Sequence, residues 1–243
     1  MAYHFDWSVL WGQWGLLLLD GLHVTLKLGS LTMVFAFFFG FLVGIVRWTG
    51  NKYLEPVCAL YIEFVRNTPP LVQILFWYFS AIYLLPHWLF SYMRDVGYQF
   101  AAAAFALSIY HAAFVAETVR AGLNSVSRGQ AEAASSLGLN FRQRMAHVIL
   151  PQAIPILVPP LTNEAVSLTK NTSLAMAIGV TEMAYQTKYI DTYTFRGVEV
   201  LVAASVLYIC VCVAIEGVGL VVHRLFSRHL DTRRVMRSAL VSE

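Results

Sequence analysis

Uncharged stretches long enough to cross hydrocarbon recur along this chain. From Leu28 to Val46 no side chain is charged, and Lys27 and Arg47 bound the run. Its 19 residues reach about 28 Å as a helix, close to the ~30 Å core of a bilayer. The turn Gly50-Asn51-Lys52 closes it. A second uncharged run covers Asn67 to Met93, is broken early by Pro69-Pro70, and predicts a crossing over Leu71 to Trp88. A third covers Val96 to Ala116, with only a proton on His111 able to charge it, and continues toward Glu117 and Arg120. The fourth, about Ile156 to Val180, is irregular: Pro151, Pro155, Pro159 and Pro160 crowd its start, and Glu164 and Lys170 fall inside it. The last runs from Val200 to Val222, interrupted by Glu216, and leads into the basic tail Arg224 to Arg237. The pattern predicts an all-α membrane protein with five transmembrane helices.

The segments between these runs are equally patterned. Trp7, Trp11 and Trp14 recur at helical spacing beside Leu10 and Leu17, which predicts an interfacial segment over residues 1–21 with its indoles at headgroup level. No Lys or Arg precedes Lys27, so the positive leader of a cleavable signal is missing and the segment is expected to be retained. Ser8 to Leu19 is too short to cross. Residues 124–150 are polar and mixed, and residues 224–243 form a charged tail, so a single membrane domain fills 1–243.

Charge decides the expected orientation. Most of the 17 Lys and Arg residues fall on one side of the five crossings: Arg47, Lys52, Arg66, Arg120, Arg128, Arg142, Arg144, Arg224, Arg228, Arg233, Arg234 and Arg237. Arg94, Lys188 and Arg196 fall on the other. The excess of positive charge marks the cytoplasmic side. That puts the N-terminus outside and both the 124–150 loop and the C-terminus in the cytoplasm. Composition agrees with a lipid solvent, since 58% hydrophobic and 13% charged residues exceed what a soluble domain of this length can bury. The net charge of +3 is spread along membrane flanks and gives no nucleic-acid surface. Cys58, Cys210 and Cys212 lie in apolar runs without metal or disulfide spacing, and no metal site is expected.

The polar loop carries the most specific pattern. It reads Gln130-Ala131-Glu132-Ala133-Ala134-Ser135-Ser136-Leu137-Gly138, then nine residues to Val148-Ile149-Leu150-Pro151. Ala131 to Leu137 favours a short helix, with Glu132 set to complement its dipole and Gly138 to end it in a left-handed conformation. Phe141, Met145, Val148 and Ile149 give an apolar face to neighbours. The loop resembles the EAA loop of ABC-importer permeases, with Val148 as its one departure. The resemblance extends through Tyr61 to Gln73, Glu117 to Gln130 and Lys170 to Leu174. It points to the polar amino-acid uptake branch, nearest to glutamate/aspartate permease subunits.

What the resemblance implies is a type I ABC importer fold in a bacterial inner membrane, multi-pass, with no enzymatic activity of its own. It implies a second permease subunit, homologous or identical, two ATP-binding subunits that hydrolyse ATP with magnesium, and an extracytoplasmic amino-acid-binding protein. No cofactor is expected on this chain, because none of its lysines has the Gly-Lys-Ser/Thr context of a P-loop. The expected coupling residues are Glu132, Ala133, Ala134, Gly138, Leu139 and Arg142. Alternatives are an importer for basic amino acids and a self-contained secondary transporter; the lack of a detectable internal repeat argues against the latter.

In the fourth crossing Asn163, Ser167 and Lys170 share one face, with Ser173 three residues on and Asn171 and Thr172 flanking. This stripe, with Gln73, is the expected substrate pathway. An equal reading pairs Lys170 with Glu164 or Glu216 to hold helices together. By the resemblance, permeases for basic amino acids tend to carry Asp at position 171, so the neutral Asn171 favours acidic or neutral substrates. Glu117 with Arg120, and Glu63 with Arg66, are expected helix-face ion pairs, and His111 a hydrogen-bonded core histidine.

Overall fold

The computed structural model describes the backbone of residues 4–241, and side chains there except at Arg128 and 228–241. After a short 3-10 turn at Trp7–Leu10, the first helix α1 runs unbroken over Gln13–Trp48, 36 residues. The first long helix thus begins well before Lys27 and overlaps the residues 1–21 expected to form a separate segment. Asp20, His23 and Lys27 do not interrupt it because they lie exposed on the outer face, where a helix tolerates charge.

The opposite face of α1 is a seam of small residues: Gly21, Thr25, Gly29, Thr32, Ala36, Gly40 and Gly44 are all buried. Such residues let helix backbones approach closely in lipid, where packing and not the hydrophobic effect holds helices together. Toward its C-terminal end the seam fits against α5, Tyr98–Asn124, where residues 40 and 44 of α1 meet Ala112, Val115, Ala116 and Val119; nearer the N-terminus, residues 21 and 29 face Met183, Gln186, Thr169 and Thr172. α5 is the central helix. Of its apolar stretch 61% is buried, against 17% for the last long helix.

The expected crossing over Leu71 to Trp88 is corrected in both boundaries. α2, Leu54–Arg66, and α3, Pro70–Leu84, form one broken rod, while Leu85 and Pro86 end it and a separate short helix α4, His87–Asp95, follows. α2 packs Ile62 and Val65 on Ala113 and Ala116 of α5. α3 packs Ile74 against the group Ala102 to Leu107, so the rod runs antiparallel along α5. Pro69 and Pro70 force the break. Gln73 closes it: its Nε2 donates to Val65 O at 2.9 Å, Thr68 Oγ1 at 2.7 Å and Thr68 O at 3.3 Å. Gln73→Leu should strand those acceptors at the kink and lower the detergent thermal midpoint of the subunit by several degrees, about 1–3 kcal/mol; an unchanged midpoint would remove this role.

Beyond α5 come two short helices, α6 Arg128–Ser136 and α7 Phe141–Arg144, and a π-helical turn Met145–Ile149 that opens into α8, Leu150–Asn171. α8 stays helical through Pro155, Pro159 and Pro160, as membrane helices can where a neighbour takes up a released carbonyl. Pro159 has no N–H for Pro155 O, and His223 Nδ1 donates to that oxygen instead at 3.0 Å. A 3-10 turn Thr172–Ile178, a short α9 Met183–Thr194 and the long α10 Gly197–Val241 complete the fold. The tail expected after Val222 is helical through Val241; residues 242–243 lie outside the described residues.

The helices alternate in direction, α1 and α5 against α2–α3 and α8, with α10 antiparallel to α8. The C-terminal ends of α1 and α5 and the start of α8 meet at one end, beside α6 and α7. α4, α9 and the residues 4–12 lie at the other.

Candidate functional site

The loop between α5 and α8 is a braced, exposed helix. α6 ends in a Schellman arrangement: Gly138, at φ 76°, donates to Ser135 O at 2.9 Å, and Leu139 N donates to Ala134 O at 3.2 Å. The expected left-handed glycine is present. The dipole role expected of Glu132 is not, because α6 starts at Arg128 and Glu132 falls beyond its first turn. Asn140 and Gln143 then form a reciprocal capping box at 3.0 Å each way, starting α7.

Met145 and Ile149 pack with Val119 and Leu123 of α5 and Trp48 of α1, and the Phe141 ring lies 6.4 Å from that of Trp48. Thus Phe141, Met145 and Ile149 of the expected apolar face fix the loop to the chain's own helices. Arg144 adds a hydrogen bond to Ser135 Oγ, joining α7 to α6. Above the loop, Glu117 pairs with both Arg120 and Arg47, and Arg47 reaches Glu55 at 3.6 Å. The expected Glu117–Arg120 pair is therefore part of a four-charge cluster tying together α1, α2 and α5.

What remains open to a partner is specific. Glu132, Ala133, Gly138 and Arg142 are exposed, Leu139 is half-buried, and Ala134 faces inward. Leu137 is 82% exposed at the helix end, a residue the motif spacing does not single out, although an apolar side chain just before the turn glycine was the available signal. The result is a slim helix with one protruding leucine, packed through its flanking residues on α1 and α5.

The second group of candidates lies on α8. Asn163 and Lys170 are exposed and Ser167 half-buried, on one open face of the helix. Ser173, also half-buried, donates to Lys170 O at 2.7 Å. Thr172 is not on that face: it is fully buried, and its hydroxyl returns to Thr169 O at 2.7 Å. Gln73 is likewise remote, in the α2–α3 break. Lys170 forms no ion pair among the described residues, so the expected pairing with Glu164 or Glu216 is corrected. Glu164 Oε1 instead meets His111 Nδ1 at 2.5 Å, and Asn171 Nδ2 lies 3.3 Å from His111 Nε2. His111 is a bonded core histidine, as expected. Glu63 and Arg66 do not pair: Asn67 Nδ2 donates to Glu63 at 3.3 Å, while Arg66 sits over the Phe114 ring at 5.3 Å.

This helix arrangement has known counterparts. The crystal structure of an amino acid ABC transporter with histidines superposes at a TM-score of 0.76 and 30% identity, covering 92% of this chain and 99% of that one. Inward-facing structures of the MetNI methionine ABC transporter share the fold at a TM-score of 0.70 and 22% identity, covering 86% of this chain and 96% of that one. The fold is that of a type I ABC importer permease. Residues 29–230 match the family described as binding-protein-dependent transport system inner membrane component, and the chain belongs to that family. Among curated relatives, the probable glutamine ABC transporter permease protein GlnM of Bacillus subtilis is 36% identical over 85% of this chain and 92% of its own length. The glutamate/aspartate import permease protein GltJ of Escherichia coli is 34% identical over 79% of this chain and 80% of its own.

Proposed function

We propose that this chain is one of two permease subunits of an ABC importer that brings polar amino acids, acidic or amide-bearing, into the cytoplasm. The observation that carries the reading is the braced α6 helix with Leu137, Glu132 and Gly138 at its exposed end, on a chain related to glutamine and glutamate/aspartate permeases. In this reading α1, the α2–α3 rod, α5, α8 and α10 make five crossings. The end bearing α6 is cytoplasmic, where Arg47, Arg120 and Arg142 gather. Separate ATP-binding subunits dock there, an extracytoplasmic binding protein delivers the amino acid at the α4–α9 end, and the open face of α8 with Asn163, Ser167 and Lys170 lines the path against a second permease. Polar side chains so exposed on a membrane helix need water or protein, not lipid, beside them. A basic substrate is the second reading, favoured by the likeness to the transporter solved with histidines.

Co-purification tests the coupling surface. The tagged chain, co-expressed with its ATP-binding subunit, should retain it. Leu137→Asp and Glu132→Lys, both at exposed positions whose change leaves the core intact, should together lose at least about 90% of it, a shift of ~1.4 kcal/mol or more, while the permease still accumulates in the membrane. Full retention by the double variant would contradict the proposal.

A further inference from the structure

The segment that precedes α1 is strapped to the start of α10. Arg196 Nη1 donates to His4 O at 2.7 Å and Asp6 N donates to Glu199 Oε1 at 2.8 Å, while the Arg196 guanidinium stands 3.7 Å from Asp6 and 3.8 Å from Glu199. Val9 is buried in one cluster with Leu18 of α1 and with Val200 and Ala204 of α10. Gly12, at φ 79°, turns the chain back into α1, and Gly15 lets the strap lie close, because a Cβ there would collide with Leu10 O.

Between the strap, α1 and α10 lies an apolar groove of about 630 Å³, within the ~300–1,000 Å³ of small-molecule sites. Trp7 and Leu10 wall it on the strap, Gly15 and Leu19 on α1, and Val202 and Val206 on α10. Height, length and charge define what fits there. Trp7, Trp11 and Trp14, with the Tyr193 ring 6.3 Å from that of Trp14, mark headgroup level, so the groove runs from there into the acyl layer. It covers residues 12–19 of α1 and 202–207 of α10, about 10 Å and 8 Å of helix, against the ~30 Å that a crossing helix of another subunit would occupy. α10 continues past it with Ile209 and Val213 exposed and 17% of its apolar stretch buried, a surface suited to lipid. At the mouth Arg196 is countered by Asp6 and Glu199, which leaves no net positive charge for an anionic headgroup, while the Asp6 side chain, next to Trp7 in the chain, is 45% exposed. Hydrogen bonds from Ser8 hold its carboxyl below the usual carboxylate range.

We propose that the groove holds one acyl chain of a zwitterionic phospholipid whose headgroup ammonium rests beside Asp6. Lipid tails are as apolar as the groove, so the hydrophobic effect does not choose this chain over its neighbours. Close packing beneath Trp7 and the contact with Asp6 do. The importer reading enters only in assigning the lipid to the outer leaflet.

The test uses the assembled permease and ATPase complex in mixed vesicles of phosphatidylethanolamine and phosphatidylglycerol, with a trace of either lipid carrying a photoactivatable group midway along one chain and the label mapped by peptide mass spectrometry. The phosphatidylethanolamine probe should label residues 12–19 and 202–207 at least about tenfold more than residues 213–220 of α10, a preference of ~1.4 kcal/mol or more, and about threefold more than the phosphatidylglycerol probe does. Val206→Trp, at an exposed position, should fill the groove and cut the excess to about twofold or less, with an unchanged elution profile showing that the fold survives. Asp6→Asn, which keeps an acceptor for Ser8, should bring the two probes level. Even labelling along α10, an excess that survives Val206→Trp, or a headgroup preference that is absent in the wild type or persists in Asp6→Asn would overturn the inference, as would cross-linking of the groove to another subunit in place of lipid. Uptake by the same vesicles reports the importer reading separately: label in the groove without uptake sinks that reading and leaves the lipid site, and uptake with even labelling does the reverse.

Discussion

Gly44→Val is expected to abolish recovery of folded subunit. A Cβ at position 44 would lie 2.6 Å from Ala116 O and 2.9 Å from Val119 Cβ, and one at Gly40 would lie 2.5 Å from Val115 Cβ and 2.9 Å from Ala112 O. A backbone carbonyl cannot rotate aside as a side-chain tip can. α1 would have to lift away from α5 along the seam, surrendering close contacts that lipid does not replace. Overpacking of this kind costs about 1–3 kcal/mol where neighbours yield and more where they do not. Gly217→Val supplies the control, since nothing lies within 4 Å of a Cβ there. Size-exclusion chromatography of detergent extracts should show a monodisperse peak for Gly217→Val and aggregate for Gly44→Val. A normal peak for both would mean the two helices are not packed in this way.

Glu182→Ala should be the second severe change, at the opposite end of the molecule. Glu182 is fully buried and caps α9, accepting from Tyr185 N at 2.8 Å and Ala184 N at 2.9 Å. It also accepts from Tyr208 of α10 at 2.9 Å and from Thr25 of α1 at 3.4 Å. Thr25 in turn accepts from Met183 N at 3.1 Å, so one carboxyl joins three helices. Its removal combines the loss of a cap, about 1 kcal/mol, with buried donors left unmet at about 1–3 kcal/mol each. The expected cost is about 3 kcal/mol or more, read as a fall in thermal midpoint.

The loss should depend on pH in a defined direction. Burial pushes the Glu182 carboxyl above the usual carboxylate range, outweighing the hydrogen bonds that pull it down. The folded protein therefore holds this proton more tightly than the unfolded chain does. The stabilisation is complete below the ordinary carboxylate pKa and declines as pH rises through the raised one. The gap between wild type and Glu182→Ala should accordingly be widest in mild acid and narrow toward alkaline pH; a gap that widens with pH would contradict the assignment.

The sequence makes the loop between α5 and α8 legible for a local reason. The short helix, the glycine turn and the apolar residues leading to Pro151 are all set by neighbours within about 20 residues, so spacing alone conveys them. The long helices are legible because runs of Leu, Phe and Val have no other solvent than lipid or core. The seam on α1 is not, since Gly, Thr and Ala hardly register in hydropathy and their value lies in what they allow another backbone to do. The true extent of α1 is hidden for a related reason: Asp20, His23 and Lys27 look like a boundary but lie exposed on the side of the helix away from its buried seam. The pattern misplaces the α2–α3 rod because Pro69-Pro70 reads equally as the end of one element or as a kink within one, and the side-chain hydrogen bonds of Gln73 to Val65 and Thr68 that hold the break together are not visible in a hydropathy pattern. His111 with Glu164, and Arg47 with Glu117, are pairs 53 and 70 residues apart. Such distances leave no periodic trace, so the sequence offers Lys170 only the intramembrane carboxylates Glu164 and Glu216 as partners and cannot point Glu164 to His111.

Amino-acid uptake by purified components tests the proposed function most directly. This chain, its partner permease and the ATP-binding subunits, reconstituted in liposomes, should accumulate glutamate or glutamine only when ATP and the amino-acid-binding protein are both present, and Leu137→Asp with Glu132→Lys should silence uptake while leaving the permeases in the membrane. Flux of either amino acid through liposomes containing this chain alone would contradict it.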